Sequence, residues 1–128
     1  MNAEGFITAQ TAIGVAPLVP EIRLHLASEI TPIWHASEEF LARKGIEPPF
    51  WAFAWPGGQA LARSILDAPE RVRGRRVLDF AAGCGIAAIA AAQSGAALVE
   101  AAEIDPMAVA AIRLNAALNG VSITALEA

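Results

Sequence analysis

From Arg76 onward, the sequence predicts an α/β fold with a parallel, doubly wound sheet and crossover helices. Three observations predict this fold: an apolar strand runs into a glycine turn, an alanine-rich helical segment follows, and the strand–helix pattern then repeats. The expected elements are a buried strand over 77–80, a helix over 86–93, a strand over 98–103, a helix that Asp105 caps before Pro106 and Asn119-Gly120 ends, and a strand over 122–126.

Two regions precede this alternation. Residues 1–47 form an N-terminal extension, in which Thr31 before Pro32 predicts the N-cap of a helix that reaches Gly45. Its expected apolar face consists of Ile33, Trp34, Ser37, Phe40 and Leu41. Residues 48–128 open with an aromatic, proline-containing loop, which leads through Gly57-Gly58 into a helix that ends near 67–69. With about three strands, the sheet predicted for 48–128 is the first half of a domain, and we expect the C-terminal half to be absent.

Composition limits the class of protein. The chain has 128 residues, of which 55% are hydrophobic and 17% charged, enough for one domain or part of one. A net charge of −4 argues against nucleic acid as the main partner. Cys84 is the single cysteine, so we expect no internal disulfide and no metal cluster. We also expect no signal peptide, no membrane span and a cytoplasmic location.

The segment after the first strand of the predicted sheet has the pattern of a nucleoside site. Asp79 lies near the strand's end, and Gly83 and Gly85 come just before the helix. Glycines allow a ligand to approach the backbone closely, and the N-terminus of a helix offers N–H groups to polar ligand atoms. Eighteen residues after Gly85, Glu103 ends the next strand, where a carboxylate can accept hydrogen bonds from ribose hydroxyls.

Two cofactors and one purely structural explanation compete for this pattern. The glycines could merely form a tight turn, with Glu103 or Asp105 capping a helix. Residues 83–88 also satisfy the dinucleotide pattern G-x-G-x-x-G/A. Dinucleotide-binding strands normally run apolar into the first glycine, whereas Asp79 suits the cationic amino-acid end of S-adenosylmethionine. We therefore favour S-adenosylmethionine over NAD.

Three blocks of sequence resemble a known family. The most specific is PFWAFAWPGGQALAR at 49–63, followed by residues 79–91 around the glycine turn and by Glu103-Ile104-Asp105-Pro106 with 114–119. They resemble the seven-strand, Rossmann-like methyltransferases, within the branch of electron-transfer-flavoprotein β-subunit lysine methyltransferases. Bacterial relatives in this branch are labelled nicotinamide N-methylase-like or ribosomal-protein L11 methyltransferase-like. The resemblance spans about 20–121.

The resemblance implies roles for individual residues. Asp79, with the backbone at Gly83 and Gly85, would hold the methionine part of S-adenosylmethionine, Glu103 would bind the ribose and Ile104 would pack on the adenine. Trp55 and Gly58 would close the pocket from the N-terminal side. Simple core packing is the alternative for both Trp51 and Trp55, and it has more weight for Trp51. Two positions depart from the family: Ala81, also expected at the cofactor, stands where glycine is usual, and Glu103 where aspartate is usual.

The resemblance also implies methyl transfer to nitrogen. The expected acceptor is a lysine of a protein such as the electron-transfer flavoprotein β-subunit. A small amine is the alternative acceptor, and an inactive cofactor-binding remnant is the alternative function. We name no acceptor-site residue, and we expect no turnover from these 128 residues alone. We interpret Cys84 as structural, His25 and His35 as surface or satisfied histidines, Arg71, Arg73, Arg75 and Arg76 as a solvated connection, and Asn115 and Asn119 as residues that serve their helix and its C-terminus.

Overall fold

The computed structural model describes residues 2–28, 31–32, 38–45 and 48–128. An N-terminal helix and β-hairpin come first, and a parallel sheet with its helices follows. The helices are α1 (Ala3–Gln10), α2 (Glu38–Arg43), α3 (Pro56–Asp67), α4 (Ile86–Gln93) and α5 (Pro106–Leu118). The strands are β1 (Ala12–Ala16), β2 (Val19–Leu26), β3 (Arg76–Phe80), β4 (Leu98–Glu103) and β5 (Thr124–Glu127).

The predicted α/β fold is confirmed. Strands β3, β4 and β5 form a parallel sheet in that order, with Asp79 opposite Ala101 and Ala101 opposite Ala125. Helices α4 and α5 connect consecutive strands, as a Rossmann-like sheet requires. Both helices pack on the same face of the sheet, in a core that consists of small and β-branched side chains from α4, α5 and the strands.

The strand expected over 77–80 is present as β3, but the expectation that it is buried was wrong. Side chains alternate between the two faces of a strand, and only one face of this sheet carries helices among the described residues. Leu78 and Phe80, on the other face, are 59% and 75% exposed. Leu98 and Leu126 add further exposed apolar surface to that face. An apolar strand sequence alone does not reveal that one of its faces is uncovered.

Helix α4 is buried on two sides because its side chains are small. Ala88 and Ala91 face the sheet, whereas Ile86, Ile89 and Ala90 pack against α3 and the hairpin. Alanine permits a close approach of the helix to both neighbours. The small-residue helix predicted for 86–93 therefore forms the centre of the core.

The helix and hairpin of the extension were not predicted. Asn2 caps α1 by accepting a hydrogen bond from Gly5 N (2.8 Å). Strands β1 and β2 pair antiparallel, and Val19, Ile22 and Leu24 of β2 join the core beside α3 and α4. The extension therefore packs directly on the sheet-bearing region.

Most of the helix expected between Thr31 and Gly45 lies outside the described residues. The Thr31 hydroxyl exchanges hydrogen bonds with the backbone of Ser28 (2.8 Å each), and its expected role as a cap stays a prediction. Only α2 is described as helical, and it ends at Arg43. Residues 33–37 and the side chains of Phe40 and Leu41 lie outside the description, so the expected apolar face stays a prediction.

Candidate functional site

The turn between β3 and α4 takes a left-handed backbone at three of its five residues. Ala81 and Gly83 have φ of 59°, and Gly85 has φ of 84°. Gly85 N donates to Ala82 O (2.9 Å), and Ala82 N donates to Ala102 O (3.1 Å) at the end of β4. A Cβ at residue 85 would lie 3.3 Å from two Ile112 carbons. Both the positive φ and the close packing of Ile112 therefore favour glycine at 85.

Asp79 joins the end of β3 to the first turn of α4. Its Oδ2 accepts a hydrogen bond from Ala88 N (3.1 Å). Burial raises the pKa of Asp79, and the negative charge of Glu103 raises it further. No ion pair forms with either carboxylate among the described residues. Two acidic groups thus lie together without a compensating cation from the described part of the chain.

A cavity of about 420 Å³ opens at the carboxyl ends of the parallel strands. Its lining includes the glycine turn, the end of β4 and the aromatic loop, through Gly83, Glu103, Ile104, Phe50 and Trp51. Ligands of open parallel sheets bind at this end of the strands. A second cavity of about 420 Å³ lies near the amino ends of β4 and β5, and its lining contains no ionisable side chain. The first cavity is therefore the candidate site.

The structure divides the expected site residues into three groups. Gly83, Glu103 and Ile104 line the cavity. Asp79, Ala81 and Gly85 belong to the strand end and turn beside it. Trp55 and Gly58 are not among the described residues that line it.

Trp55 and Gly58 support the loop and helix instead. The Trp55 indole Nε1 donates to Phe50 O (2.9 Å), and its ring lies 5.5 Å from that of Phe53, between centroids. A Cβ on Gly58 would lie 3.3 Å from Ile86 Cγ2, so glycine allows α3 to approach α4 closely. Gln59 donates to Ala54 O (2.6 Å) and accepts from Leu18 N (3.2 Å). The Trp-Pro-Gly-Gly-Gln segment thus connects loop, helix and hairpin.

Sequence reasoning missed the aromatic wall of the cavity. Trp51, interpreted as a core residue, is 1% exposed and packs with Ile7 and Ala108, yet it also borders the cavity. Its Nε1 is buried and has no hydrogen-bond partner in the described ranges. Phe50 is 62% exposed and forms part of the same wall. The signal available in the sequence was the position of this aromatic loop directly before a helix.

The residues that the sequence analysis interpreted as structural or surface residues also have defined environments. Burial raises the pKa of the Cys84 thiol to about 11, so the thiol stays neutral and is a poor nucleophile. Burial lowers the pKa of His25. Asn115 and Asn119 do more than end their helix, because both side chains bind the backbone of β2. His35 lies outside the description.

The described residues hold neither a candidate metal centre nor a helix suited to a membrane. They contain no group of three or more His, Cys, Asp or Glu side chains that could hold a metal ion. Within the same ranges, none of the helices combines the length and the hydropathy needed to cross a membrane.

The chain is similar to two groups of curated methyltransferases. It is 49% identical to the electron transfer flavoprotein beta subunit lysine methyltransferase of Xenopus laevis, over 89% of this chain and 45% of that protein. The Danio rerio protein of the same name is 47% identical, over 94% of this chain and 46% of the relative. Ribosomal protein L11 methyltransferase of Dechloromonas aromatica is 42% identical, over 73% of this chain and 32% of that protein. The chain thus spans less than half the length of these relatives.

A family model described as ribosomal protein L11 methyltransferase (PrmA) matches residues 60–127, which is more than half of the chain. The match includes most of α3, the glycine turn, both crossover helices and all three strands of the parallel sheet. By this match, the chain belongs to the ribosomal protein L11 methyltransferase (PrmA) family.

Proposed function

We propose that the chain binds S-adenosylmethionine and forms the cofactor-binding part of a protein lysine methyltransferase. The pair of carboxylates beside the glycine turn, which no cation of the described residues compensates, carries the proposal. One end of S-adenosylmethionine bears a positive charge on an ammonium group, which favours the ionised form of Asp79. The ribose carries two hydroxyl donors, which suit a carboxylate such as Glu103. The carboxylates of Asp79 and Glu103 therefore fit the ammonium group and the ribose hydroxyls of this cofactor.

The cavity also has the size and wall chemistry for such a ligand. Its volume of about 420 Å³ lies within the usual range of small-molecule sites, about 300–1,000 Å³. Ile104 is 78% exposed at its edge, and an adenine ring packed on it would remove that apolar surface from water. We assign Asp79, Ala81, Gly83 and Gly85 to the methionine end. We assign Glu103 to the ribose and Ile104 to the adenine.

The reaction proposed for the complete enzyme is methylation of an amine. A bound S-adenosylmethionine would supply an electrophilic methyl group on sulfur: the lone pair of a neutral amine would bond to the methyl carbon as the carbon–sulfur bond breaks and S-adenosylhomocysteine leaves. A lysine must lose its proton first, because its solution pKa is about 10.4. In this chain, Glu103 and the glycine turn bind and orient, and the aromatic wall of Phe50 and Trp51 keeps water away from one side of the site.

Calorimetric titration of the chain tests the cofactor. We expect saturable binding of S-adenosylhomocysteine and none of NAD. Glu103→Ala should weaken binding by about 1–3 kcal/mol, since the ligand hydroxyls lose their acceptor. Glu100→Ala is the matched control, because Glu100 is on the same strand but points to the opposite face. Binding of NAD alone, or equal effects of the two substitutions, would contradict the assignment.

We propose the electron-transfer flavoprotein β-subunit as the acceptor protein. The similarity to lysine methyltransferases that carry this substrate in their names supports it. A chimera provides the test: this chain replaces the matching part of the Xenopus laevis relative, and radiolabelled S-adenosylmethionine reports transfer. We expect label on flavoprotein lysines and its loss with Glu103→Ala. Label only on ribosomal protein L11 or on a small amine would overturn this acceptor. A chimera that binds cofactor but labels none of the three would contradict the methyltransferase proposal itself.

A further inference from the structure

Asn115 is a buried polar side chain whose amide is bonded at both ends. It is 0% exposed. Its Oδ1 accepts from His25 N (2.8 Å), and its Nδ2 donates to Cys84 O (2.8 Å). A buried amide without partners would cost free energy, and here each partner lies on a different element. Asn115 therefore links three elements: α5, β2 and the glycine turn.

Asn119, four residues later at the C-cap of α5, binds β2 and the backbone of Asn115 but not the glycine turn. Its Oδ1 accepts from Arg23 N (2.9 Å), and its Nδ2 donates to Arg23 O (2.6 Å). The same Nδ2 also lies 2.7 Å from Asn115 O. Arg23 and His25 are two apart, so their backbone groups face the same side of β2. The two asparagines fix the hairpin to α5, and only Asn115 extends this contact to the turn.

The Cys84 carbonyl that Asn115 binds lies within the glycine turn of the candidate site. Cys84 is flanked by Gly83 and Gly85, both with positive φ. Open space surrounds the position of a Cβ at Gly83, whereas Ile112 of α5 packs against Gly85. Because the peptide is planar and trans, a fixed Cys84 carbonyl also fixes the Gly85 N–H, which donates to Ala82 O (2.9 Å). Asn115 and Ile112 thus hold the helix-side end of the turn from one surface of α5.

We propose that Asn115 is a positioning residue for the glycine turn, which it holds in its ligand-binding conformation by connecting the turn to α5 and the N-terminal hairpin. The claim that this conformation binds S-adenosylmethionine rests on the proposed function. The claim that Asn115 holds the turn rests on its hydrogen bonds alone. Through Asn115, residues 12–26 contribute to a site that they do not line.

Asn115→Asp and Asn119→Asp form a matched pair of variants. Each keeps the acceptor oxygen toward β2 and replaces the donor with oxygen. Only at residue 115 does the new oxygen face the Cys84 carbonyl, at the 2.8 Å position of the lost donor. Asn115→Ala, which loses both bonds without adding repulsion, replaces Asn115→Asp if that variant does not fold.

Cys84 reports on the turn directly, because it is the single cysteine and is 3% exposed. Labelling with a disulfide reagent is measured beside urea unfolding of each variant. In Asn115→Asp, we expect the Cys84 thiol to be labelled about tenfold faster than global unfolding alone permits. This factor corresponds to a loss of about 1.4 kcal/mol in the local stability of the glycine turn. Labelling of Asn119→Asp should follow global unfolding. Equal labelling of the two variants at matched stability would overturn the positioning role.

Binding of S-adenosylhomocysteine provides the second measurement. We expect a dissociation constant at least about tenfold higher in Asn115→Asp and within about twofold of the parent in Asn119→Asp. If the parent chain does not bind this ligand, the proposed function fails, while the labelling result still decides whether Asn115 holds the turn. Faster labelling with unchanged affinity would restrict Asn115 to a structural role and refute its link to the ligand.

Discussion

Ala81 has a backbone conformation that glycine adopts more easily, so Ala81→Gly should stabilise the protein. Its φ of 59° lies in the left-handed region, which costs an L-residue about 1–2 kcal/mol. The side chain is exposed, so its methyl group contributes little packing. Glycine has more conformational freedom in the unfolded chain, which costs about 0.5–1 kcal/mol. The net expectation is a gain of about 0.5–1 kcal/mol in the free energy of unfolding.

Urea unfolding followed by tryptophan fluorescence measures this gain, and thermal unfolding should show a rise of about 2–5 °C in Tm. Ala97→Gly is the control, because Ala97 is also exposed and is not among the described residues with positive φ. There the entropy cost acts alone, so we expect a loss of about 0.5–1 kcal/mol. If Ala81→Gly lowers stability as much as Ala97→Gly does, the strain at Ala81 does not exist.

Four other substitutions test the same region. Asp79→Asn should raise stability at pH 7 and weaken binding of S-adenosylmethionine, because the raised pKa of Asp79 means that its ionised form destabilises the fold. The protonated Asp79 carboxyl makes its full contribution to the free energy of unfolding below its ordinary pKa of 3.8, and this contribution is lost as the pH rises through the folded-state pKa. The stability advantage of the Asp79→Asn variant over the parent chain should therefore vanish at low pH. Unfolding curves across pH check this, and an advantage independent of pH would contradict it. Gly83→Ala should cost about 0.5–1 kcal/mol, because the smaller conformational freedom of alanine in the unfolded chain offsets part of the cost of positive φ. Gly85→Ala should cost more, because its Cβ also meets Ile112 at 3.3 Å; equal losses in urea would refute the packing contribution. Phe80→Ser, on the uncovered sheet face, should reduce binding of a hydrophobic dye, and Ser122→Ala, at an exposed position that is already polar, should not.

The position of the candidate site was predictable where its signals are local in the sequence. Strand, glycine turn and helix follow one another within residues 76–93, so composition and spacing were sufficient. Glu103 ends the neighbouring parallel strand, and the topology alone brings it to the same edge. These predictions required no knowledge of side-chain packing.

Other parts depend on contacts between distant residues. The roles of Asn115 and Asn119 involve partners 90 and 96 residues away, and an asparagine near a helix end looks like an ordinary cap. Trp51 and Trp55 are four residues apart in one aromatic loop, and only the fold shows which of them borders the cavity. Residues 77–80 looked buried because apolar composition does not distinguish one covered face from two.

The pairing of β2 with two asparagines also has a consequence for synthesis on the ribosome. The hairpin leaves the ribosome first, while the groups that satisfy Arg23 and His25 are made about 90 residues later. At bacterial or eukaryotic elongation rates of about 5–20 residues per second, that delay is roughly 5–20 s. During this interval the outer edge of β2 has unpaired N–H groups, the kind of edge that other chains can pair with. The exposed charge of Arg23 on that edge opposes such pairing until α5 has been translated.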